Sequence, residues 1–124
     1  MVQLLIDRLN GLVIPDQMPE PLIQSIHAFS EVKTFSEGEH ILRKGQVCHG
    51  AFFLAKGLAR SYYLLEKKEV TSRLMEEGFI ITSWLSFYRQ QPSNEYIVAM
   101  EDCETVYLSF EDITRLYRDF PIFN

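Results

Sequence analysis

The sequence predicts a mainly β domain of jelly-roll type, a double-stranded β-helix with short flanking helices. Three observations predict it. From Lys33 onward, short apolar runs alternate with turn signals every few residues. Glycines stand at the reversals, at Gly38, Gly45 and Gly57. Helical spacing is confined to the two ends and one short aromatic stretch in between. Many short strands with glycine-bearing turns argue for a sandwich, jelly roll or barrel.

Taken in order, Val2, Leu5, Ile6 and Leu9 recur at helical spacing, with Gly11 as the stop. Pro15, Pro19 and Pro21 punctuate a connector, and Leu22, Ile26 and Phe29 predict a second short helix with Pro21 in its first turn. Residues 1–32 thus form a helical segment, 33–109 the roll, and 110–124 a closing helix. Within the roll, 36–39 is a turn, 40–43 a strand, 44–46 a turn, and 51–55 a strongly apolar strand. Strand 58–65 sets Leu58, Arg60, Tyr62 and Leu64 on one face. A charged tip at 66–69 leads into strand 70–75, where Arg60 and Arg73 are placed to pair with Glu66 or Glu69. After Gly78, a short helix is expected near 82–88, capped by Thr82 or Ser83 and carrying Trp84, Phe87 and Tyr88, a cluster read mainly as core. A polar loop around Pro92 and strands 95–100 and 104–108 follow. Ser109 and Asp112 then stand at capping-box spacing before Ile113, Leu116, Tyr117 and Phe120, and Pro121 closes the helix.

Composition bounds the function. The chain has 124 residues, room for one domain, and 47% hydrophobic residues, enough for one core. The net charge of −5 and the lack of a basic stripe argue against direct grip on a nucleic-acid backbone. Two cysteines, Cys48 and Cys103, are too few for a disulfide framework and are read as reduced, partly buried thiols; they would meet only if the roll brings them across from each other. Asp7 and Arg8 interrupt the N-terminal apolar stretch, so no secretory signal is expected, and no run is long enough to span a membrane. A cytoplasmic protein follows by elimination. The three histidines, His27, His40 and His49, lack metal-site spacing; no cysteine cluster suits an iron–sulfur centre, and no nucleophile elbow is present. Cys48 and His49 are read as ordinary loop or edge residues. The expectation is a protein that is not an enzyme and has no metal or cofactor.

The order of elements and several motifs resemble the cyclic-nucleotide-binding domain. Phe35-x-x-Gly38-Glu39-His40-Ile41-Leu42-x-x-Gly45 resembles the opening of that β-roll. Phe52-Phe53-Leu54-Ala55-Lys56-Gly57-Leu58-Ala59-Arg60 resembles its central segment. Ala99-Met100-Glu101-Asp102 with Val106-Tyr107-Leu108-Ser109 resembles its close. The Trp84–Phe87 region, Pro92–Ser93 and the ending Leu116-Tyr117-x-x-x-Pro121 are similar to sensor domains of Crp/Fnr-type transcription regulators, in a divergent branch common in Bacteroidetes. The resemblance implies a ligand-sensing or dimerising effector domain. It also implies a homodimeric full-length protein that meets DNA only through a domain outside this chain, past a dimerisation helix that would begin where the chain ends.

The same resemblance locates a phosphate cassette and shows it altered. Such cassettes hold the phosphate with backbone N–H groups at a helix start and with an arginine, while a glutamate holds the ribose. Here Ile81–Thr82 stand where the Gly–Glu pair is expected, Ser93 follows Pro92 in place of the arginine, and Glu95 adds a carboxylate that repels phosphate. The candidate ligand-binding residues carried over are Gly78, Phe79, Ile81, Thr82, Ser83, Ser93 and Asn94, with Arg89 as a candidate substitute anion contact. The expectation is a small-molecule effector other than cAMP or cGMP. The alternative is a genuine cyclic-nucleotide module using substitute anion contacts, with cAMP or cGMP as its ligand.

Overall fold

The computed structural model describes residues 20–119, so the helix expected at 2–9 and the closing role of Pro121 lie outside the described residues. Helix α1 spans Glu20–Phe29 and places Pro21 in its first turn. Eight strands follow: β1 (Glu31–Phe35), β2 (His40–Leu42), β3 (Gly50–Lys56), β4 (Ala59–Leu65), β5 (Lys68–Met75), β6 (Ile80–Ile81), β7 (Tyr96–Ala99) and β8 (Cys103–Ser109). Helix α2 (Trp84–Arg89) interrupts them after β6, and α3 (Phe110–Asp119) follows β8. Two four-stranded antiparallel sheets result, ordered β1-β8-β3-β6 and β2-β7-β4-β5. Among the described residues, no helix is long and apolar enough to cross a membrane.

Strand β3 explains the two-sided core. Neighbouring residues in a strand face opposite sides. Leu54 points between the sheets, into a cluster with Leu42, Met75, Ile81 and Ile97. Phe53 points outward beside Val106 of β8, where Ile26 of α1 and Leu116 of α3 cover it. A strand buried on both faces reads as a continuous apolar run, as Ala51–Ala55 does.

Two glycines are required by close approach. Gly57 has φ +119, and a Cβ there would lie 2.7 Å from the Asp102 carbonyl oxygen. At Gly50 a Cβ would lie 2.4 Å from the Tyr107 ring, so only glycine lets that ring cross the strand.

The structure moves several boundaries. The roll begins at Glu31 rather than Lys33, because Glu31–Phe35 pairs along β8 from Tyr107 to Cys103. The charged tip shrinks to Glu66–Lys67, both with positive φ, the geometry of a two-residue hairpin turn that matches strand twist. The β4–β5 register shifts between Ser61 and Tyr62. Arg60 pairs with Glu69 as expected. Arg73 does not reach the tip; it lies opposite Ser61, which is fully buried, and faces inward with it. The mid-roll helix starts two residues later than expected, at Trp84.

Candidate functional site

A groove of about 570 Å³ runs between α2, the loop 90–95 and the inner face of the β4–β5 hairpin. Its lining includes Tyr63, Arg73, Ser83, Trp84, Leu85, Arg89, Ser93, Asn94 and Glu95. Of the residues carried over from the cassette, Ser83, Ser93, Asn94 and Arg89 come together here.

The serine hydroxyls in the groove wall are already engaged. Ser83 is the N-cap of α2, but its side chain makes no cap bond; it reaches the Ser93 hydroxyl at 3.3 Å. Ser93, almost fully buried, accepts from the Glu95 N–H at 3.0 Å and donates to the Glu95 carbonyl at 2.9 Å. Ser93 has folded its hydroxyl back on its own loop, in the manner of an ST-turn.

Charge in the groove is mixed. Arg73 donates to the Thr82 carbonyl at 2.8 Å and meets the Glu95 carboxylate at 3.4 Å. Arg89, the exposed last residue of α2, forms no ion pair among the described residues. An arriving anion meets one free cation, one neutralised cation and one carboxylate. Arg73 is the groove residue that sequence reasoning missed. Its parity with inward-facing Met75 was the available signal; placing it depended on the register shift, which no single residue announces.

The other carried-over residues lie elsewhere. Gly78 and Phe79 exchange backbone bonds with Leu54 at 2.8 and 2.9 Å, and neither lines the groove. Ile81 and Thr82 face a separate chamber of about 380 Å³ inside the roll. There Cys48 Sγ, Thr82 Oγ1 and the Gly50 carbonyl oxygen form a triangle with sides of 3.2 Å. Thr82 therefore does not cap α2. Cys48 lies in the loop before β3, with its thiol buried; its N–H donates to Ser86 Oγ at 2.9 Å, and its carbonyl accepts from Gln90 Nε2 at 3.0 Å, so it ties that loop to α2. Both cysteines are free thiols. Burial pushes the Cys103 thiol above its usual pKa. The aromatic cluster divides, with Phe87 in the core and Trp84 and Tyr88 exposed.

The sequence model of the cyclic nucleotide-binding domain matches residues 32–120, and the chain belongs to that family. The sensor domain of the transcriptional regulator DNR from Pseudomonas aeruginosa shares the fold, with a TM-score of 0.80 at 19% identity over 97% of this chain and 79% of that one. A cyclic nucleotide-binding domain from Methylobacillus flagellatus gives 0.81 at 14% identity, covering 97% and 67%. The Thermus thermophilus catabolite activator protein gives 0.75 at 22% identity over 89% of this chain and 51% of that one, so this chain spans about half that protein's length. No curated protein matches the chain. The fold expected from the motifs, a β-roll with short flanking helices, is the one observed.

Proposed function

We propose that the chain is the ligand-sensing or dimerising effector domain of a Crp/Fnr-type transcription regulator and that it binds cAMP weakly or not at all. It is read as a cytoplasmic binding module rather than an enzyme, homodimeric in its full-length form, reaching DNA through a domain outside this chain. One observation carries the ligand statement. The residue after Pro92 is Ser93, with its hydroxyl turned onto Glu95, whose carboxylate occupies Arg73 in the same groove. A cyclic phosphate entering there would meet no free arginine inside the cassette and would approach a carboxylate. An anion left without its charged partner in a partly buried site costs several kcal/mol, about two or more decades of affinity.

Isothermal titration of the chain with cAMP and with cGMP tests this. The expected result is no saturable heat below about 100 µM ligand. Low-micromolar binding of either nucleotide would overturn it and favour the second reading, a genuine cyclic-nucleotide module. The place of Arg89 at the groove edge speaks for that reading, and Arg89→Ala would then abolish the binding.

A further inference from the structure

The chamber is separate from the groove, with no lining residue in common, and hydrogen bonds tie the two together. Residues 46–50 line the chamber. Their segment is bonded to the cassette: Gly45 N–H donates to the Ser93 carbonyl at 2.9 Å, Ser93 N–H to the Gln46 carbonyl at 2.8 Å, and Cys48 N–H to Ser86. Thr82 adds a second link, with its carbonyl held by groove-lining Arg73 and its hydroxyl in the chamber floor.

The chamber's chemistry is graded from floor to rim. In the floor, the Cys48 thiol and the Thr82 hydroxyl are hydrogen-bonded with the Gly50 carbonyl, so these three groups are already satisfied. The remaining wall is mixed: Ile41, Leu42, Ile97 and Phe52, packed on the Tyr107 ring at 4.7 Å between centroids, are apolar or aromatic, and Gln46 and His49 add polar lining. At the rim stands Lys33, its ammonium 4.0 Å from the centre of the Tyr107 ring and with no carboxylate at ion-pair distance among the described residues. Glu31, two residues earlier on the same face of β1, lies opposite Tyr107 in register. The volume sits at the small end of the roughly 300–1,000 Å³ range of ligand pockets.

We propose that this chamber is a second ligand site, distinct from the groove, that takes small monocarboxylates: a short apolar body on the satisfied floor, and the carboxylate at Lys33. Because residues 45–50 and Thr82 are bonded to the cassette, a bound acid stiffens that segment and the cassette loop together. The proposal stands whether or not a cyclic nucleotide enters the groove.

The test uses the whole chain, ¹⁵N-labelled, titrated with sodium hexanoate and with 1-hexanol as the uncharged control. Hexanoate is expected to shift the amides of residues 33, 46–50 and 82 saturably, with a Kd below about 10 mM. Hexanol and the Lys33→Gln variant should each bind about three- to tenfold more weakly. Glu31→Gln, which removes the competing carboxylate, should bind more tightly. Saturating hexanoate should also slow iodoacetamide alkylation of Cys48 and leave that of Cys103 unchanged. Absence of saturable shifts, shifts centred on Arg89 and Asn94 instead, or equal affinity of the wild type and Lys33→Gln would overturn it. The nucleotide titration reads the groove and the hexanoate titration reads the chamber, so the two proposals fail separately.

Discussion

At the scale of single residues, the fold shows how a polar side chain is kept inside a small roll. Ser86 accepts from the Cys48 N–H and donates to the Gln91 carbonyl, and Thr105, fully buried, donates to the Lys33 carbonyl at 2.7 Å. His40 is the titrating member of this group. Its Nε2 lies 2.7 Å from the Tyr62 hydroxyl, under the stacked Tyr62 and Tyr96 rings. Burial, then the Arg43 charge, holds its pKa below the usual 6.5; Glu69 opposes them and Arg60 adds to them. The unfolded chain therefore takes up a proton near pH 6.5, while the folded chain takes it up only at lower pH. Between those points the unfolded state binds more protons, so folding stability falls as pH falls; above pH 6.5 neither state is protonated and the residue has no effect. In urea unfolding, the stability of the wild type relative to His40→Gln is expected to decline from about pH 7.5 to about pH 5. A flat difference across that window would remove His40 from the account.

Elements differ in how much of them the sequence reveals. Strand β3 and helix α3 were legible because each carries a strong pattern, a two-faced apolar run and apolar residues at helical spacing after a cap. The capping-box spacing at Ser109 and Asp112 is realised by half: the Asp112 N–H donates to Ser109 Oγ at 3.1 Å. Replacing such a cap by alanine typically costs about 1 kcal/mol. Ser109→Ala is thus expected to lower the unfolding free energy by about that amount without changing the urea m-value; no measurable loss would show that α3 is held by Leu116 and Ile113 alone. Helix α2 was harder to place. Two consecutive hydroxyl residues precede it, and either suits an N-cap, but the Thr82 side chain turns to Gly50 and that of Ser83 to Ser93. Tertiary partners took both hydroxyls, and local pattern carries no information about partners far away in sequence. Motif position alone puts Gly78 and Phe79 in the site, whereas their backbone bonds to Leu54 of β3 use them as a strand connection.

The whole molecule is two apolar clusters on either side of one sheet, and the same division separates what was readable from what was not. That there would be a roll, and flanking helices to cover it, followed from composition and period. That the roll would hold a chamber beside the groove did not, because a cavity is defined by residues from six strands and a loop whose registers are fixed only in three dimensions. The clusters are not independent. Ile113 on α3 packs against both, and Phe110 meets Phe87 of α2 edge to face at 5.2 Å. Loss of either cluster removes the support of α3, and through it the support of the other. A domain tied in this way unfolds as one unit. The single tryptophan, Trp84, sits on α2 beside the groove and reports the site. Its fluorescence and the far-UV circular dichroism of the sheets are expected to give coincident urea transitions. Leu116→Ala empties a buried position in the outer cluster and should cost about 2–4 kcal/mol. It should move both probes by the same amount, although Leu116 belongs to the cluster on the far side of the sheet from the chamber. If the Trp84 signal kept its midpoint while the dichroism moved, α2 and its groove would be a separate folding unit, and the bonds between residues 45–50 and the cassette would not couple the site to the rest of the roll.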